Sequence, residues 1–511
     1  MHIIDYLIIV LSLIISVYVG FYFSKGQKST KKFFAADGKI PAWAIGISIL
    51  ATLVSSVTFL AYPGQGYSNN WILLVQGLMV PVVLMFIIWG VVPLYRNVIG
   101  ISAYEYFEKR FGYFARLYSS LAFILSHFSK MGTVLYLLGL AIAGFTGFDT
   151  LTIIWILGFV IITLTLLGGI EAIIWLDVIQ GFLLVAGGII ALLILLFVPE
   201  GGPAAVWEVA KASGKTGFGP YDWDFAKLTF WVMAINGVFY AIQKYGTDQT
   251  IVQRYLTAKS TKDGIKASLI GVLMAVPVWA LFMFIGTALF SYYKLVPGAV
   301  LPEGIKPDGV FPYFIINELP VGVVGLIVSA LIAAAISSLD SDINCLSAVL
   351  TEDFYAKIRK NTTDRQKLMF GKLMVVVSGG LALLVATLYT QLKGEGVLGI
   401  VFGLYAILSG GIAGMFLLGL FSTRANKQGL YIGIAACVLF TAYALLTSEP
   451  FGGRVLLDLG PLNFRHHEYM LGVYSHLVLF GVGYFASLFF PKPELDANLT
   501  YYGWLRSKRR N

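Results

Sequence analysis

Apolar positions in this chain fall in long unbroken blocks joined by short polar connections, with neither the strict alternation of strands nor the narrow stripe of a surface helix. Thirteen blocks are long enough to cross a bilayer: 2–24, 42–62, 71–95, 115–146, 150–168, 172–198, 228–250, 265–292, 320–350, 367–392, 396–421, 428–447 and 469–490. A hydrocarbon core takes about 20 apolar helical residues. The pattern therefore predicts an all-α polytopic membrane protein with about 13 transmembrane helices. Composition agrees: of 511 residues 58% are hydrophobic and 12% charged, where a soluble domain carries about 25% charged residues. Soluble enzymes, nucleic-acid-binding proteins and disordered scaffolds are set aside on that ground. Lys25, Lys28, Lys31 and Lys32 follow the first block rather than precede it. That is the reverse of secretory-signal flanks, so the block is expected to stay as a helix.

Basic residues gather in alternate connections. One set holds Lys25 to Lys32; Arg96, Lys109, Arg110 and Arg116; Arg254, Lys259, Lys262 and Lys266; Lys357, Arg359, Lys360, Arg365 and Lys367; Arg424 and Lys427; and the tail Arg506, Lys508, Arg509 and Arg510. The connections near 199–226, 293–319 and 448–468 are sparsely charged or mixed. Cytoplasmic loops retain Lys and Arg, which predicts the N-terminus outside, the C-terminus inside and an odd number of spans. The net charge of +9 reports this asymmetry rather than a nucleic-acid partner. Cys345 and Cys437 lie in apolar blocks without CxxC or Cys/His spacing, and read as small buried side chains.

Ionisable groups deep in a spanning helix cost about 2.5–3.5 kcal/mol each on insertion scales, so each is a functional candidate. Asp177 stands in GGIEAIIWLDVIQG, Lys130 in LSHFSKMGTVLY, and Asp340 with Asp342 in AAAISSLDSDINCLS. Asp177 reads either as a helix-end carboxylate reaching the interface or as a functional group. Lys130 is too far from either end to snorkel; it needs a buried anion partner or contacts a substrate. His127 reads as a packing residue. GKT at 214–216 is no phosphate loop, because Val209 stands where the first glycine belongs. With no HExxH or GxGD pairing and no repeated pore loop, the chain reads as a transporter, neither enzyme nor channel.

Ala334, Ser337, Ser338 and Ser341 follow i, i+3, i+4, i+7 spacing and share one helical face. That face offers hydroxyl oxygens, which suit a hard cation such as sodium; small residues there also permit close helix packing. The second block, GISILATLVSSVTFLAYPGQG, combines Gly46, Thr52, Ser55, Ser56 and Thr58 with Pro63 and Gly64 and is easily broken. A broken helix frees carbonyls to coordinate sodium at mid-bilayer.

These stretches resemble the sodium:solute symporter family, which includes sodium/glucose, sodium/proline and bacterial sialic acid cotransporters. The likeness runs through 46–62, 168–181, QTIVQRYLTAKS at 249–260, 333–347 and the SAYEYFEKRFG loop at 102–112. ATxxSSxT in the second block is similar to the bacterial sialic acid members in particular. The resemblance implies a leucine-transporter-like fold with two inverted five-helix repeats, at 42–198 and 228–421. An N-terminal helix and basic loop at 1–41 and C-terminal helices and tail at 422–511 flank them. It implies Na+ as coupling ion and a small-molecule substrate, with a monomer in the lipid bilayer importing a sugar acid such as sialic acid. Neutral sugar or inositol, and monocarboxylate or amino acid, are the alternatives. The principal sodium site maps onto Ala51, Val54, Ala334, Ser337 and Ser338. A second maps onto Asp177, Ser338, Asp340 and Ser341, with Asp340 standing where the relatives carry Ser, so that the sodium count stays open and Asp340 has the alternative of binding a proton. Substrate positions map onto Ser55, Ser56, Thr58, Leu73, Gln76, Lys130, Gly237 and Ala241. Lys130 replaces an arginine, a point charge in place of a bidentate fork.

Overall fold

In hydrocarbon every backbone N–H and C=O must be satisfied within its own segment, which leaves the helix as the local solution for each apolar block. The computed structural model describes residues 1–24, 26–391, 410–448 and 455–503. Among the described residues no strand forms beyond an isolated bridge between Ile40 and Ala258. The first half of the chain forms α1 (Ile3–Ser24), α2 (Thr30–Ala35), α3 (Ala42–Leu53), α4 (Ser56–Ser68), α5 (Leu74–Val98), α6 (Glu105–Phe111), α7 (Tyr113–Thr146), α8 (Thr150–Phe197) and α9 (Gly202–Ala212). The second half forms α10 (Phe230–Gly246), α11 (Gln249–Thr257), α12 (Thr261–Leu295), α13 (Pro307–Glu318), α14 (Val323–Val349), α15 (Ala356–Ile358), α16 (Asp364–Gln391), α17 (Ile412–Phe421), α18 (Lys427–Thr447) and α19 (Glu468–Ser487).

Among the described residues, nine helices are long and apolar enough to span, ten if the bent pair α3–α4 counts as one. The difference from thirteen has local causes. The blocks at 150–168 and 172–198 both lie in α8, whose 48 residues would extend about 72 Å if straight, against a core of about 30 Å. The chain turns instead at Gly169, where φ is +57 and ψ −164. A Cβ there would also meet the carbonyl oxygen of Phe33 at 2.8 Å. The block at 228–250 yields only the 17 residues of α10. Of the block at 396–421, the part before 410 lies outside the described residues, as do Lys25 and the basic tail at Arg506, Lys508, Arg509 and Arg510.

α14 is the central post, with every residue from Ile327 to Val349 buried against α8, α1, α7, α16 and α3. α1 is its opposite: only 11% of its apolar window is buried, and its surface is left for lipid. One polar contact fixes the two together. Asp5 of α1 accepts hydrogen bonds from the backbone N–H of Gly322 and Gly325 at 2.8 and 2.9 Å, satisfying donors that the start of α14 leaves without intrahelical partners. The predicted basic connections meet at one end of the bundle. Thr30 bonds Asp364, Lys357 pairs with Glu108 at 2.6 Å, and Arg96 donates to the carbonyls of Tyr255 and Ala258. At the other end, Trp71 and Asn70 donate to the carbonyls of Gly217 and Gly219.

Candidate functional site

The second block breaks where its Ser/Thr cluster begins. α3 ends at Leu53, Val54 is extended at φ −102 and ψ 113, and the axis bends by 58°. Pro63 and Gly64 are not the break; they lie inside α4. They sit in close packing, since a Cβ on Gly286 would stand 2.1 Å from the Pro63 carbonyl and one on Gly64 would stand 3.0 Å from the Asp308 backbone nitrogen.

A helix leaves its last four carbonyls without intrahelical partners, and α14 supplies one. Ser337 Oγ lies 3.2 Å from the Ala51 carbonyl oxygen and 3.1 Å from that of Ala334, its hydroxyl donating toward both. Ser338 Oγ beside it is buried with no hydrogen-bond partner among the described residues, and Val54 is fully buried at the break. Ala51, Ala334 and Ser337 are thus in one contact, with Ser338 and Val54 at its edge. The donors are all neutral oxygens, the set a hard monovalent cation takes.

A second cluster forms around Asp177, which is fully buried. Its Oδ2 accepts from Arg254 Nη2 at 2.9 Å and from Ser48 Oγ. Arg254 also donates to Ser341 Oγ at 2.8 Å and to the Thr250 carbonyl at 2.7 Å. Asp177 Oδ1 and Asp340 Oδ2 have no hydrogen-bond partner among the described residues. Asp340 is joined to this cluster through Ser341, whose hydroxyl lies between Arg254 and Asp340 Oδ1, so that two buried carboxyl groups share the neighbourhood of one guanidinium. Arg254 is a correction to the sequence reading: it is no loop charge but a completely buried side chain on α11. The available signal was Gln249, Thr250, Gln253 and Arg254 at i, i+1, i+4, i+5, a polar stripe that needs a polar partner; all four are buried.

Lys130 has the anion partner its depth requires. Its Nζ lies 2.9 Å from Asp342 Oδ2 and 3.1 Å from Oδ1. His127, read from sequence as packing, has its Nε2 at 3.5 Å from Asp342 and 3.8 Å from Asp248, while Lys244 holds Asp248 at 2.7 Å. These groups border a cavity of about 430 Å³ whose lining includes Ser55, Ser129, Lys130, Tyr240, Gln243 and Lys244. Of the sequence-predicted substrate residues, Ser55 and Lys130 reach this cavity, while Ser56 and Thr58 are buried at the start of α4. Leu73, Gln76, Gly237 and Ala241 lie elsewhere: Gln76 donates to Asn236 at 3.0 Å, and a Cβ on Gly237 would meet the Gln76 carbonyl at 2.8 Å. They belong to the tight contact between α5 and α10.

The chain is similar to known transporters. The sequence profile of the sodium:solute symporter family matches residues 33–436. The sodium/sialic acid symporter NanT of Aliivibrio fischeri is 33% identical over 92% of this chain and 90% of its own length. SiaT of Proteus mirabilis, also a sodium/sialic acid symporter, is 34% identical over 84% of this chain and 87% of its own. A substrate-bound, outward-open structure of a Na+-coupled sialic acid symporter superposes with a TM-score of 0.89 at 29% identity, covering 97% of this chain and 100% of that one.

Proposed function

The chain belongs to the sodium:solute symporter family, and from that premise we propose that it is a sodium-coupled secondary active symporter importing a sugar acid such as sialic acid. Its relatives are transporters, and its helices have the leucine-transporter-like arrangement of theirs. The observation that carries the reading is the contact of the broken second block with α14, where the Ala51 carbonyl meets Ser337. Sodium entering there takes Ala51, Val54, Ala334, Ser337 and Ser338 as ligands and ties α3 to α14. A second cation, sodium or a proton, completes the balance between Asp177, Asp340 and Arg254, with Ser338 and Ser341 alongside.

The solute occupies the cavity at Ser55 and Lys130, next to the break, so that ion and solute binding share one element. Each sodium moving down a 100 mV potential supplies about 2.3 kcal/mol before its concentration gradient is added. The inverted repeats are 42–198 and 228–421, and the chain works as a monomer. The converging basic connections face the cytoplasm, with the N-terminus outside and the C-terminus inside.

The test is uptake by purified protein in liposomes of labelled sialic acid, galactose, inositol and proline, under an inward sodium gradient and with potassium in its place. Sodium-driven uptake of sialic acid alone is expected. Sodium-driven uptake of galactose or inositol but not sialic acid would overturn the sugar-acid reading, and uptake indifferent to sodium would overturn the coupling.

A further inference from the structure

Lys130 is not a free cation waiting for a solute. It straddles both oxygens of Asp342 at 2.9 and 3.1 Å, and Asp342 is completely buried while the Lys130 side chain is one-third exposed. The other charges facing this pair cancel too. Lys244 of α10 is held by Asp248, the residue that caps α11, at 2.7 Å. His127, one turn before Lys130 on α7, has its Nε2 within 3.8 Å of both carboxylates. With His127 neutral, the two ammonium groups in the wall, Lys130 and Lys244, are matched by Asp248 in the lining and by Asp342 buried behind it, and together they offer no net charge to an anion.

An ammonium has three donors. One is committed to Asp342 Oδ1 and the ammonium also sits against Oδ2 as an ion contact, and drawing Lys130 away would strand a buried carboxylate, which a contact with a water-reached solute does not offset. An arginine's five donors could serve both anions at once; a lysine's three cannot serve both bidentately.

We propose that Asp342 is a specificity-determining residue: it keeps Lys130 as its own counter-ion, so that a solute's carboxylate contributes little to recognition. The inference rests on the sugar-acid reading of the same site. The remaining lining, Ser55, Ser129, Tyr240 and Gln243, recognises the solute by its hydroxyl and amide groups, and one N–H of Lys130 serves as a plain hydrogen-bond donor.

The experiment compares KM for sialic acid and for its methyl ester, the same body without the charge, in sodium-loaded proteoliposomes. Wild type, D342N, K130Q and the double variant are measured. For the wild type and for K130Q the two KM values are expected to agree within about threefold, whereas D342N, with Lys130 unmasked, favours the acid by about tenfold or more. The double variant returns to about threefold, because the gain passes through Lys130. Half-activation by sodium in D342N, expected within about twofold of wild type, shows that the ion sites have survived. A wild type that prefers the acid by more than about tenfold overturns the inference even if D342N does not fold. So does an unmoved ratio in active D342N. Failure of wild type to take up either compound with sodium overturns the sugar-acid reading itself, and the inference with it.

Discussion

Two aspartate–cation pairs are held by α14 and its neighbours, and they are built differently. Asp177 and Arg254 are both fully buried, and the guanidinium spends its donors on Asp177, Ser48, Ser341 and a backbone carbonyl. Asp342 is equally buried, but its partner Lys130 borders a cavity. The sealed pair has fixed partners and a second buried carboxyl, Asp340, beside it, which is why we assign it to a small cation. The open pair is balanced and faces room for an organic solute. Enclosure, rather than the presence of buried charge, distinguishes the pair we assign to an ion from the pair we assign to the solute.

The largest effect expected from breaking this comparison is at the sealed pair. Arg254→Gln leaves Asp177 and Asp340 without their guanidinium and should cost about 3–5 kcal/mol of stability, read as a lower thermal midpoint in detergent. Lys130→Gln, where water reaches the site, should lose less than half of that; equal losses would mean the two pairs are not different in kind. Next come Ser337→Ala and Ser338→Ala, each expected to raise the sodium concentration for half-maximal uptake about tenfold, equivalent to about 1.4 kcal/mol. Unchanged sodium activation in both would remove the principal site from α14. Asp340→Asn keeps the volume and removes the second carboxyl, so sodium activation should weaken by about threefold with little change in thermal midpoint. The smallest effect belongs to Asp5→Asn at the tip of α14, remote from both pairs. A loss of about 1–2 kcal/mol is expected from the weakened cap, with sodium activation unmoved; altered coupling there would show that α1 takes part in the transport cycle.

Much of the fold was legible in the chain. The apolar blocks correspond to helices wherever the structure is described, and the Ser-rich face of α14 does meet the broken second block. The break falls at Val54, among the residues the resemblance assigns to the freed carbonyls, while Pro63, which adds to the breakable character of the block, packs inside α4. Proline removes one donor, and Pro63 is accommodated within α4 without ending it. Arg254 was read as a loop charge because its sequence neighbours Lys259 and Lys262 are; no linear count separates a snorkelling cation from one folded under α3.

The sequence by itself determined where the apolar helical segments lie, the alternation of basic connections and the oxygen-bearing face, because in a membrane each helix must satisfy its own backbone and each of these patterns is local. Only the tertiary structure decided which buried charges meet. Arg254 finds Asp177 across 77 positions and Lys130 finds Asp342 across 212, and such partnerships depend on which helix faces pack together. That packing made one pair a closed charge cluster and left the other at the edge of a cavity.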